Sequence, residues 1–189
     1  MFRYLKMYFL IVVIAFSSIV SAHPHIFVDG YYKIIVNDAS VEELEAFWLV
    51  DELTSTSIIM GYDLDLDGQI TGTEKEELIV AFDSFKEQGY FLKIEKNGQR
   101  ILPYYVLIAD LEVRNEQLWL RLEITLPDRI NLQSSTLSLA FGDDTMYTAV
   151  TPDLAGLIQL SGKDAERCTP AIRLTEEITI DSWGDLRCY

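Results

Sequence analysis

Two groups of side chains have the types and spacing to hold metal ions. The first is His23-Pro24-His25, which contains both histidines of the chain. In an extended chain, side chains at i and i+2 point the same way, roughly 6.5 Å apart at the backbone, so the two imidazoles can converge on one ion. Pro24 favours the extended form for its predecessor. It also lacks the amide proton that an amine–amide–histidine copper or nickel site requires at its second position. An ion here is therefore held by imidazoles, by the α-amine if His23 begins the mature chain, and by a residue that the fold supplies. Nitrogen ligands with one carboxylate suit zinc, and also nickel, cobalt or copper. The alternative is a plain pair of surface histidines.

The second group is the run from Asp63 to Glu74. Asp63, Asp65 and Asp67 fall at positions one, three and five of an EF-hand loop, Gly68 at the sharp turn, and the Gln69 carbonyl at seven. Thr71 stands at nine and Glu74 at the bidentate twelfth position. Hard oxygen donors at these offsets wrap one large hard cation, so Ca2+ is the natural occupant. Two positions depart from the pattern. Leu66 is apolar where a polar residue is usual, and Lys75 follows the loop where a hydrophobic residue normally anchors the exiting helix. The alternative is an acidic helix–loop–helix that keeps the turn without useful affinity. No second loop is present to pair with, so a structural clamp is a better reading than a calmodulin-like sensor.

The elements that must position these groups follow from patterning. Residues 25–36 alternate as a strand, with Ile26, Val28, Tyr32, Ile34 and Val36 on one face, and residues 41–51 form the return strand. The simplest register sets Lys33 against Glu45 and Val28 against Val50. It brings Asp51 near His25 on the outer face, while Asp29 lies about 13 Å along the strand. Helices are expected over 52–62 and 73–88, the latter stopped by Gly89. Strands follow at 90–96 and 99–104 around Asn97-Gly98, then at 106–114, 117–126, 136–141 and 146–150. The fold class is α+β: an N-terminal β-hairpin, a helix–EF-hand-like loop–helix unit, then an antiparallel β-sheet.

Residues 1–22 read as a cleavable signal peptide. Arg3 and Lys6 precede the apolar stretch FLIVVIAFSSIV, and Val20-Ser21-Ala22 offers the small residues of a cleavage site. Cleavage there makes His23 the first mature residue and places the protein in the periplasm, an oxidising compartment. The only cysteines, Cys168 and Cys188, then form a disulfide. The mature chain divides into a metal-binding domain, 23–152, and a C-terminal tail, 153–189. A net charge of −15 argues against nucleic acid and anionic membranes as partners, and favours cations. No catalytic triad, phosphate loop or zinc–cysteine pattern is present, so the chain does not read as an enzyme.

The stretches HPHIFVD (23–29), Trp48-Leu49-Val50-Asp51-Glu52, DLDLDG (63–68) and GYF (89–91) resemble the bacterial domain of unknown function 1007 family. Its members are described as periplasmic components associated with nickel/cobalt-type metal permeases, including a zinc-linked system. The resemblance implies a periplasmic protein that binds transition metal and serves an inner-membrane permease, with His23 and His25 as the matched motif. Residues 92–150 resemble the family in pattern more than in motif, and 153–189 have no recognised counterpart.

Three functions compete. A transition-metal accessory protein requires metal binding that depends on His23 and His25. A calcium-stabilised secreted interaction module loses stability without calcium and tolerates loss of both histidines. A copper enzyme with a histidine brace needs redox turnover and a third nitrogen, which only the amine can supply.

Overall fold

The computed structural model describes residues 25–153 and 156–189. The expected signal peptide, 1–22, and His23 lie outside the described residues. The described chain is predominantly β, with two α-helices, and is α+β in class.

The first sheet is built on β1 (Ile26–Asn37), whose inward residues Val28, Tyr32, Ile34 and Val36 are all buried. Their period of two is what a strand with one face in the core requires. One edge of β1 pairs antiparallel with β2 (Ser40–Val50), with Val28 opposite Val50, Lys33 opposite Glu45 and Ile34 opposite Leu44. The far side of β2 pairs with β6 (Gln117–Thr125), and β6 pairs with β5 (Tyr105–Arg114). The second sheet has the order β10 (Cys168–Leu174), β11 (Ser182–Cys188), β7 (Leu137–Phe141), β3 (Leu92–Lys96), β4 (Gln99–Arg100). Residues from both sheets and from the helices join one hydrophobic core. Tyr32 links the sheets directly: its hydroxyl donates to the Ala140 carbonyl at 2.8 Å, and its ring stacks on Phe141 at 4.4 Å between centroids. The sheets come this close at Gly30, where a Cβ would stand 2.9 Å from Phe141 and from Val150.

Four expectations need correction. The segment 153–189 is not a tail beside a finished domain. Its β9 (Ile158–Ser161) pairs parallel with β1 on the edge it shares with β8 (Thr148–Pro152), and β11 pairs with β7 near the centre of the second sheet. Leu157, Trp183 and Leu186 are buried core residues. In place of one antiparallel sheet there are two: the first is mixed, because β8 and β9 join β1 in parallel, and the second is antiparallel throughout. The helix expected over 73–88 ends earlier: α2 spans Gly72–Asp83, and Ser84–Phe91 is a 3-10 segment with Gly89, Tyr90 and Phe91 in the left-handed region. Phe85 keeps its apolar contact with Phe82 and Phe91 from that tighter turn. The strand expected to reach residue 104 stops at Arg100, where pairing with β3 ends.

The first helix, α1 (Glu52–Tyr62), starts at Asp51, whose Oδ1 accepts from the Thr54 N–H at 3.0 Å. Asp51 Oδ2 accepts from the Phe27 N–H at 3.1 Å, so one carboxylate ties the helix start to β1. Burial raises the Asp51 carboxyl, but the hydrogen bonds from Thr54, Phe27 and Leu53 outweigh it and hold the group below the usual carboxylate range. Ser55 fixes the other side of the helix: its hydroxyl donates to the Val50 carbonyl and accepts from the Leu118 N–H, at 3.0 and 2.9 Å.

The cysteines face each other in the β10–β11 register and are joined as a disulfide. Chain entropy assigns a closed loop of this length about 3 kcal/mol of stability. Alkylation of exported protein without reductant should leave both unmodified, and two alkylated thiols would contradict the pairing. A chain ending at residue 152 should lose its cooperative urea transition, and Leu186→Ala should cost about 2–5 kcal/mol in the full chain; an intact transition in the truncated chain would restore the tail reading. Asp51→Ala should cost about 1 kcal/mol at neutral pH through loss of the cap. A depressed folded pKa contributes stability above the unfolded value and loses it as pH falls through the folded one, so the urea-midpoint gap between wild type and Asp51→Ala should narrow below about pH 4.

Candidate metal centre

The loop between α1 and α2 begins with Asp63 at the C-terminal end of α1, and Thr71 precedes α2. Three sequence features shape it. Leu66 and Gly68 take positive φ, at 62° and 80°, and turn the chain back on itself. Short Asp side chains fold onto nearby backbone N–H groups. Ile70 is buried, which plugs the middle of the loop into the core. Asp63 accepts from the Asp67 and Gly68 N–H groups at 3.1 and 2.9 Å, and Asp67 accepts from the Gln69 N–H at 2.7 Å.

The result is convergence. One carboxylate oxygen from each of Asp63, Asp65 and Asp67 lies within 4.8 Å of the others. Asp63 is 8% exposed, whereas Asp65 and Asp67 face solvent. The Asp67 N–H stabilises the Asp65 carboxylate, but partial desolvation and the charges of Asp67, Glu74 and Asp63 together raise the group above its usual range. The loop thus holds like charges together at a cost that a bound cation would remove. Glu74, 9% exposed, accepts from the Leu64 N–H at 2.7 Å and the Thr71 N–H at 3.3 Å, so it closes the two ends of the loop onto each other. The Gln69 side chain donates to the Gly68 carbonyl at 3.0 Å. Leu66 resolves its departure from the EF-hand pattern by pointing out, at 83% exposure.

Lys75 has a partner that spacing did not reveal. Its Nζ lies 2.6 Å from Asp110 Oδ1, at the irregularity in β5. The Lys75 hydrogen bond is the main reason that the Asp110 carboxyl is lowered. An ion pair between α2 and the sheet stands where an apolar anchor was expected.

Of the two histidines, His25 lies among the described residues. His25 stands exposed at the start of β1, and its N–H donates to the Tyr147 carbonyl at 2.9 Å. Its ring lies 5.0 Å from that of Tyr147. Asp51 meets the Phe27 N–H, and both its oxygens hold backbone N–H groups. Among the described residues, the Asp63–Asp65–Asp67 group is the one in which three potential ligands converge. Sequence reasoning missed Asp143 beside this end of β1. Buried at the start of the 143–148 loop, it accepts from the Thr145, Tyr147 and Thr148 N–H groups at 2.8, 3.1 and 2.9 Å and so sets the position of Tyr147. The only signal was the turn chemistry of Gly142-Asp143-Asp144.

Comparison with known proteins adds one match. No curated protein matches the chain. A family model described as "Protein of unknown function (DUF1007)" matches residues 8–179, which takes in the acidic loop, the first sheet and every strand of the second sheet except β11. The chain belongs to the DUF1007 family.

Proposed function

We propose that this protein is a periplasmic metal-binding accessory protein whose acidic loop is an EF-hand-like calcium site. The reading rests on one observation above others: three carboxylates converge within 4.8 Å in a loop closed by a fourth, Glu74. Calcium there relieves the mutual repulsion and clamps α1 and α2 against the sheet. Asp63, Asp65, Asp67 and Glu74 supply carboxylate oxygens, and Gln69 and Thr71 complete the shell through its carbonyl and through a water. The ion's role is structural, since one loop without a paired partner has nothing to open against.

His23 and His25 are the second metal site, taking zinc, nickel or cobalt for an inner-membrane permease. Its support is the exposed position of His25 at the start of β1, together with the matched motif. Asp51 stands against Phe27, two residues along from His25, and is already engaged as a helix cap, so the imidazoles carry the affinity.

Calcium at one hundred times its dissociation constant should raise stability by about 2.7 kcal/mol. Asp63→Asn and Glu74→Gln keep the loop's internal acceptors and should remove that gain. Asp65→Asn should reverse sign, with a higher melting temperature than wild type in chelator and a lower one in calcium. A melting temperature that calcium leaves unchanged would end the calcium reading.

Processed protein starting at His23 should bind one zinc ion by isothermal titration, with affinity falling below about pH 6.5 as imidazole protonates. His23→Ala and His25→Ala should each weaken binding, and residues added ahead of His23 should weaken it only if the amine is a ligand. Equal zinc affinity in wild type and the double variant would leave a calcium-stabilised module without transition-metal function.

A further inference from the structure

Between the helical pair and the first sheet lies an apolar cavity of about 180 Å³. Trp48 contributes to it from β2, Ile58 from α1, Phe82 from α2, and Phe85 and Phe91 from the 3-10 segment. Among the described residues, no Lys, Arg, Asp or Glu lines it. Two of its lining residues carry a buried polar atom with no hydrogen-bond partner among the described residues: the Trp48 indole N–H and the Thr148 hydroxyl. Trp48 is 2% exposed and Thr148 4%. Leaving a polar atom buried and unpaired costs free energy, and native structures show few such atoms. Packing does not require the Thr148 hydroxyl, because Val would fill the same space.

We infer that this cavity binds a small neutral ring compound bearing one hydrogen-bonding oxygen. Size sets the ring: an apolar cavity of roughly 150 Å³ accepts benzene, so this one holds a single ring with one or two further atoms. The Trp48 N–H can only donate, so the ligand must offer an acceptor, whereas the Thr148 hydroxyl donates or accepts. A phenolic or aryl-alcohol oxygen answers both. The absence of a basic lining residue excludes a carboxylate, because a buried charge needs a partner. The adjoining cleft shares Phe85, Phe91 and Thr148 with the cavity and carries Glu87 and Asp143, which also disfavours anions on that side. The inference is independent of either metal site.

Phenol and its near-isostere toluene test it on the full mature chain by heteronuclear NMR titration. Phenol should move the Trp48 indole N–H resonance while those of Trp119 and Trp183 stay in place. Thr148→Val should weaken phenol about tenfold, the size of one hydrogen bond at the strong end of its range, and leave toluene affinity unchanged, while Trp48→Phe should weaken phenol more than toluene. If Trp48→Phe does not fold, Thr148→Val read at the Trp48 indole resonance decides alone. A Trp48 resonance that saturating phenol does not move, or phenol affinity unchanged by Thr148→Val, overturns the inference and leaves the two atoms to ordered water.

Discussion

A strand buried inside a sheet has two edges of backbone N–H and C=O groups to satisfy, and β1 is such a strand. Its hairpin partner β2 fills one edge. The other is divided: β8 takes Ile26 to Gly30 and β9 takes Tyr32 to Ile35, both parallel. Parallel partners cannot come from a tight turn, so the chain must travel far before it returns to β1. The helical pair, the acidic loop and three strands of the second sheet, β3, β4 and β7, lie within that excursion, whereas β10 and β11 follow it. Gly162 shows how closely the chain comes back: at φ 103°, a Cβ there would meet the Val36 carbonyl oxygen at 2.4 Å.

Local features were legible in the sequence, and long-range ones were not. The alternation of Ile34, Leu44, Ala46 and Trp48 marks two strands because each has one face in the core. Asn97-Gly98 marks a turn because both residues take positive φ. Cys168 and Cys188 were legible as a pair because no other cysteine is present. The tail misled because β10 shows little burial pattern of its own: after Cys168 its residues are exposed, and the buried positions lie on β11. The helix end at Asp83 was missed because Phe85 keeps helical spacing from Phe82 although the backbone has tightened to 3-10.

The candidate site shows the same division. Asp63, Asp65 and Asp67 act within one loop, so their spacing describes their geometry. Lys75 and Asp110 are far apart in sequence, and nothing near Lys75 signals its partner. The capping role of Asp51 is not legible in a strand register, which does not show which backbone N–H groups a helix start leaves open. The cap and the Phe27 contact explain the residue without any ion.

The placement of β11 has a consequence for timing. This strand, Ser182–Cys188, ends one residue before the terminus, yet it sits inside the second sheet between β10 and β7. The second sheet cannot close until residues 182–188 are available, and β1 waits for β9 to cover its second edge. Contacts of such sequence separation form slowly. A chain emerging from the ribosome therefore has no complete second sheet until residues 182–188 have been made. Maturation becomes a single late event, closed covalently when Cys188 reaches Cys168.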